Sequence, residues 1–361
     1  MKTHGRGKMF GVALDASDDP WNLQLKLASM WARQQGRNFH SEPYETMVQE
    51  LGMRSTYIEP AGSVPIPSWL WPRPRPSDLP FVTQESMQEF VDGGGLLDVA
   101  HQVKNFVASQ ILPQLPIMVG VDHSATGGVV SALSEALGPD RLTVVALDHH
   151  FDGIPLSVRM RPGLESDLVP PPAGGAPRAE SGGSGYCCGD FWAYLIQAGV
   201  LHPEHLLLLG VADYPIEQTG PEWATFRKTY LEFGERGCSF FPLAAFKGAY
   251  KRRLRHFLRE KITTPYVYVS LDVDVGAGRC VHAARYMDGL GIERKALLDT
   301  AEILAEGSRC GAFRLVGLDV MEFNMHLLGM ETPAGLKDTT VETAWAFVEV
   351  LTANGEGTAL S

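Results

Sequence analysis

Leu142-Thr143-Val144-Val145-Ala146-Leu147-Asp148-His149-His150-Phe151-Asp152 is the stretch that decides the fold of this 361-residue chain. Its first six residues are apolar or β-branched, which predicts a short strand buried on both faces, as in a parallel sheet. Ionisable residues then begin abruptly. Asp148, His150 and Asp152 stand at i, i+2 and i+4, and in an extended segment alternate side chains share a face. Three ionisable groups on one face repel unless a counterion joins them, so this pattern calls for a cation.

The same composite recurs three times. Ile117-Met118-Val119 leads into Gly120-Val121-Asp122-His123-Ser124. Tyr268-Val269-Ser270-Leu271 leads into Asp272-Val273-Asp274. Leu315-Val316-Gly317-Leu318 leads into Asp319-Val320-Met321-Glu322. Open parallel sheets bind ligands beyond the carboxyl ends of their strands, where all four clusters fall. As a lone motif, Asp272-x-Asp274 also suits a loop or helix cap.

Working outward, helical spacing predicts helices at 21–35, 88–112 (broken at Gly93-Gly94-Gly95), 127–137, 191–198, 221–234, 244–261, 293–307 and 339–351. Further strands are expected at 9–14, 206–211 and 239–242. This alternation implies a mainly parallel sheet with helices on both faces, an α/β fold. Residues 59–80 carry seven prolines and read as an extended covering segment with neither helix nor central strand. Residues 161–185 read as a long loop. No repeat or linker is visible, so one domain over 1–361 is expected.

The net charge of −11 argues against a nucleic-acid or membrane partner. The densest basic run, Lys251-Arg252-Arg253-Leu254-Arg255, reads as a solvated helix face. The five cysteines are scattered, forming neither a disulfide framework nor a C-x-x-C metal spacing. With no apolar leader at residues 1–10, a cytoplasmic location is expected. Gly93-Gly94-Gly95 lacks the strand and the Lys-Ser or Lys-Thr of a phosphate loop.

Four carboxylates (Asp148, Asp152, Asp272, Asp274) and two imidazoles (His123, His150) are too many charges for one ion. They suit two divalent metals that activate a shared water. The donor set favours Mn²⁺, with Ni²⁺, Fe²⁺ or Zn²⁺ as alternatives.

In this order, Gly-Val-Asp-His-Ser, Asp-x-His-x-Asp and Ser-Leu-Asp-Val-Asp resemble the metal-binding motifs of the ureohydrolases, the family of arginase, agmatinase, guanidinobutyrase and formimidoylglutamase. The resemblance implies a three-layer α/β/α fold around a parallel sheet. It implies metal ligation by His123, Asp148, His150, Asp152, Asp272 and Asp274, with Asp148 and Asp272 bridging. It implies that Glu322 pairs with a substrate guanidinium. By resemblance, a homo-oligomer is expected, a trimer or a hexamer.

The chain also departs from that family. The usual Asp-Pro segment after the second aspartate pair is replaced by Val275-Gly276-Ala277-Gly278-Arg279. The family's proton-shuttling histidine aligns with Cys188 in Cys188-Gly189, with His149 as a stand-in and His326 near the rim. As two small loop residues, Cys187 and Cys188 need no catalytic role. His149 points away from the metals by strand alternation and suits a packing role. Asp213 and Glu217 fall where arginases place an acid for the α-amino group. The arginine usual beside that strand end is absent, so L-arginine is not the first substrate expected. The expected activity is hydrolysis of a C–N bond in a small cationic guanidino or amidino compound. Two alternatives stay open: a formimino or amide hydrolase, and a homologue that binds metal or a cation without turnover.

Overall fold

The computed structural model describes residues 7–36, 39–54, 57–154, 185–212, 223–287, 289–331, 335 and 337–353. The strands are β1 (Gly7–Val12), β2 (Ile58–Ser63), β3 (Leu115–Gly120), β4 (Leu142–Leu147), β5 (Leu206–Leu209), β6 (Ser239–Phe241), β7 (Tyr266–Asp272) and β8 (Arg314–Met321). They form an eight-stranded sheet in the order β2-β1-β3-β8-β7-β4-β5-β6, and every pairing is parallel. The four strands that end in ionisable clusters, β3, β8, β7 and β4, are neighbours at its centre.

Ten α-helices flank the sheet among the described residues: α1 (Pro20–Gln34), α2 (Pro43–Arg54), α3 (Gln84–Asp92), α4 (Gly95–Phe106), α5 (Thr126–Leu137), α6 (Phe191–Gln197), α7 (Ala224–Glu235), α8 (Tyr250–Lys261), α9 (Arg294–Arg309) and α10 (Thr340–Thr352). Strand alternation sends successive side chains to two cores. Val144 and Ala146 face one core with Val129 of α5 and Trp192 of α6. Val145 and Leu147 face the other with Leu297 of α9 and Trp345 of α10. Both faces are covered, so the strands read as unbroken apolar runs. The layers are helix, sheet, helix, as the sequence implies.

Local chemistry sets the helix ends. Asp19 accepts the Asn22 N–H ahead of Pro20, and Thr83 accepts from Ser86. Gly128 lets α5 approach α4 closely, since a Cβ there would lie 2.3 Å from the Ala100 carbonyl. On α8, Leu254 and Leu258 are buried, while Lys251 and Arg255 pair with Asp299, Glu302 and Glu306 of α9. The basic run is thus a helix face, paired to its neighbour.

Several expectations are corrected. Residues 59–80 are not simply extended: β2 pairs as an edge strand, and short 3₁₀ turns follow at Ser68–Leu70 and Pro76–Phe81. Proline is tolerated at the edge because no ladder partner needs its missing N–H. The helix expected from 244 starts at Tyr250, after a 3₁₀ turn at Leu243–Phe246. β8 runs on to Met321, so Asp319 lies within the sheet. Helix α2 has no counterpart in the sequence reading. Trp69 anchors the proline-rich segment by packing on Phe81 and Phe90. Among the described residues, no helix is long and apolar enough to cross a membrane.

Candidate metal centre

The side chains beyond β3, β4 and β7 meet in two groups that share one residue. His123, Asp148, Asp152 and Asp272 form the first; Asp148, His150 and Asp274 form the second. Within each group the ligand atoms lie within 4.8 Å of one another. His123 Nδ1 is 3.0 Å from Asp152 Oδ2, 3.2 Å from Asp272 Oδ2 and 3.4 Å from Asp148 Oδ2. His150 Nδ1 is 2.8 Å from Asp274 Oδ2 and 3.9 Å from Asp148 Oδ1. All six of the sequence-selected residues therefore converge. Only Asp148 belongs to both groups, whereas Asp272 was expected to bridge as well.

The route to convergence differs from the expected alternation. β4 ends at Leu147, and residues 148–152 turn instead of staying extended. Asp152 sits at φ 52° and Glu322 at φ 66°, the only non-glycine residues with positive φ among those described. Such backbone persists where its surroundings over-determine it, and both instances lie at this site. The Glu322 N–H donates to Val121 O at 3.1 Å, and the Arg285 N–H donates to Glu322 O at 2.7 Å.

Hydrogen bonds around His123 determine what its ring offers. Ser270 donates its hydroxyl proton to Asp319 Oδ1 at 2.7 Å. The Ser270 hydroxyl oxygen itself lies 2.9 Å from His123 Nε2, so Ser270 Oγ accepts the Nε2 proton. Thr126 and Tyr268 donate to the other Asp319 oxygen. This leaves the bare lone pair of His123 Nδ1 aimed at three carboxylates. Such an arrangement needs a cation, either a proton or a metal, and fixing a ligating imidazole through its far nitrogen is the usual support of a metal site.

The charge states agree. Burial, then repulsion from Asp152 and Asp274, pushes Asp148 up to about 7. Burial, then Asp274 and Asp148, pushes Asp272 well above the carboxylate range. Burial also opposes the charge on Asp274, but pairing with His150 outweighs it and holds that carboxyl below its ordinary value. Burial lowers the His123 pKa, yet hydrogen bonds to Asp148, Asp152 and Asp272 win and raise it. Asp148 Oδ2 and Asp274 Oδ2 are buried, and each faces an imidazole nitrogen at ion-pair distance without receiving a well-aligned hydrogen bond from the described residues. An all-oxygen and imidazole donor set with open carboxylate oxygens fits one or two hard divalent cations.

Glu322 stands beside the two groups. Its Oε1 accepts the His123 N–H at 2.9 Å, and its Oε2 is buried without a hydrogen-bond partner among the described residues. Burial pushes its carboxyl up to about 8, although Arg285 pulls the other way. His149 joins neither group: its N–H donates to Asp274 Oδ1 at 3.0 Å, while its ring lies against Gly289. Burial pushes the Cys188 thiol well up, with Asp122 adding to it. Burial, then the charge of Arg73, lowers His326 to about 4. Asp213, Glu217 and residues 161–184 lie outside the described residues. The sequence reading assigned no role to Arg285, Asp15, Ser270 or Asp319; Ser270 and Asp319 lie inside the quoted motifs, whereas Arg285 and Asp15 carry no pattern that would single them out.

A family model described as the arginase family matches residues 26–350. No curated protein sequence matches the chain. Among solved structures, arginase from Bacillus subtilis is 15% identical with a TM-score of 0.59, over 97% of this chain and 99% of that one. Proclavaminate amidino hydrolase from Streptomyces clavuligerus is 17% identical with a TM-score of 0.54, over 97% and 91%. Formimidoylglutamase from Bacillus subtilis is 14% identical with a TM-score of 0.56, over 100% and 89%. Identities this low speak for the fold alone.

Proposed function

The chain belongs to the arginase family, and from that premise we propose that it is a metal-dependent hydrolase of a C–N bond in a small guanidino or amidino compound. The observation that carries this reading is the pair of ligand groups sharing Asp148, with the unpartnered Oε2 of Glu322 beside them. In this reading His123, Asp148, Asp152 and Asp272 hold one divalent cation, and Asp148, His150 and Asp274 hold a second, Mn²⁺ by donor type. When bound, such a pair supplies activated water at neutral pH and stabilises the negative charge that develops on the substrate.

The chain's own groups do the rest. Glu322 Oε2 accepts an N–H of the substrate's cationic group and holds its central carbon over the ligand groups. The His123 N–H holds the other Glu322 oxygen, which fixes one side of the carboxylate. Burial keeps the Cys188 thiol protonated, and it is the proposed donor to the leaving nitrogen. The ring of His149 packs edge-on against that of His150 at 5.3 Å, and the residue's proposed role is support, through its N–H on Asp274. Asp213 and Glu217 stay proposed contacts for the far end of the substrate. The five free cysteines fit a reducing, cytoplasmic setting, and a trimer or hexamer is the proposed assembly.

One observation favours a second reading. Glu322 offers a single open oxygen, and one acceptor serves a formimino or amide nitrogen as well as a guanidinium. The deciding experiment is metal analysis joined to a substrate screen with agmatine, arginine, guanidinobutyrate, guanidine and formimidoylglutamate. Urea as product supports the first reading, and formamide, or ammonia without urea, supports the second. A metal-loaded protein that turns over none of them overturns both and leaves a binding role.

A further inference from the structure

Arg285, six residues beyond the replaced segment Val275–Arg279, lies among three carboxylates that come from three different strand ends. Its Nη1 donates to Asp122 Oδ2 at 3.1 Å and stands 3.7 Å from Glu322 Oε1, and its Nη2 is 3.4 Å from Asp15 Oδ1. The side chain is 11% exposed and its partners less so. Lys26, fully buried, stands 3.6 Å from the other oxygen of Asp15. Three carboxyl groups thus share two cations, and the one with an oxygen to spare is Glu322, whose Oε2 is buried and has no hydrogen-bond partner among the described residues.

We propose that Arg285 is a positioning residue: by neutralising Asp122 and Asp15 it keeps Glu322 Oε2 open and aimed as the acceptor for a substrate cation. The inference rests on the reading of Glu322 as the cation anchor. Asp122 is the carboxylate that matters most. Its Oδ1 accepts the N–H and hydroxyl of Ser124 and so caps the turn that carries His123. Without a guanidinium, Asp122 and Glu322 face each other with no cation between them, and buried like charges at this range push apart. Arginine suits the task because its planar fork addresses several carboxylates at once, whereas a lysine ammonium is a point charge. The backbone bond from the Arg285 N–H to Glu322 O survives any side-chain substitution, so a variant isolates the charge.

The test is calorimetric titration of methylguanidinium into the full chain, metal-free and Mn²⁺-loaded, with metal content measured in parallel. R285M is expected to bind at least about tenfold more weakly, because one member of a buried charge set has lost its partner. Adding D122N removes the charge that Arg285 neutralises, and R285M/D122N is expected to return to within about threefold of the wild type. Metal content is expected to stay unchanged throughout. R285M binding as tightly as the wild type, or more tightly, overturns the inference and makes Arg285 a resident competitor for the substrate. A double variant no better than R285M also overturns it, since a purely structural role is not rescued by charge balance. If R285M does not fold by circular dichroism, R285K decides: an intermediate loss is expected, and unchanged affinity overturns the inference. A wild-type protein that binds no methylguanidinium overturns the reading of Glu322 itself, and this inference with it.

Discussion

The backbone N–H of His123 donates to Glu322 Oε1 at 2.9 Å, joining two residues 199 positions apart. One is a proposed metal ligand and the other the proposed substrate anchor, so this bond sets the distance between the two halves of the chemistry. It also explains why Glu322 tolerates φ 66°: a left-handed backbone turns its carboxylate back toward the β3 end.

Metal stoichiometry follows from the sharing of Asp148. Wild-type protein is expected to hold about two Mn²⁺ per chain, Asp148→Ala close to none, and His150→Ala about one. Mass-spectrometric metal analysis after gel filtration checks all three. Equal occupancy in Asp148→Ala and His150→Ala would remove Asp148 from its bridging place.

Support of His123 from behind is a separate matter. Ser270→Ala deletes the acceptor of the Nε2 proton while touching no ligand atom. The expected effect is a loss of about 10- to 100-fold in metal affinity, read by competition with a chromophoric chelator. Unchanged affinity would show that Ser270 does not orient the ring.

Glu322→Gln keeps the shape of the side chain and removes its charge. A fall in kcat/KM of about 100-fold or more is expected for any cationic substrate, with metal content unchanged. Parallel loss of metal would instead place Glu322 among the ligands.

Glu42 gives a pH signature remote from the metal centre. Its carboxyl is buried, its Oε1 accepts from Ser63, and burial raises it from 4.5 to about 7. A folded-state pKa above the unfolded one means that the native form holds the extra proton. Its contribution is therefore fully present below about pH 4.5 and is lost as pH rises through about 7, an effect of up to about 3 kcal/mol. Urea denaturation of wild type and Glu42→Gln across pH 4.5–8 should show a steeper decline in the wild type. Parallel curves would rule Glu42 out as the source.

Gly291 holds the segment after Asp274 in place. A Cβ there would stand 2.0 Å from the Val275 carbonyl oxygen, which is backbone and cannot step aside. Its N–H donates to Ala277 O at 2.8 Å, and the next residue's N–H to Val275 O at 2.7 Å. Gly291→Ala is expected to cost about 1–3 kcal/mol and to weaken metal retention through Asp274. A melting temperature equal to that of the wild type would contradict this packing.

The strand ends and the six ligand candidates were legible in the chain because both signals are local. An apolar run such as Leu142–Leu147 declares a strand by itself, and ionisable residues at its end declare a site through their mutual repulsion. What the chain alone left open depends on neighbours distant in sequence. Helix α2 is weakly amphipathic, and part of its support comes from packing on β1 and β3. That the two candidate ligand groups share Asp148 and not Asp272 depends on residues 148–152 leaving strand alternation. Arg285 carries no motif, and its meaning appears only when Asp15, Asp122 and Glu322 arrive from three strand ends to meet it. Sequence by itself determined the class of fold and singled out the candidate ligands, because residue type and period suffice for those. Tertiary structure alone decided which oxygen stays open on Glu322 and which cation faces it, because electrostatic balance is summed over space and not along the chain.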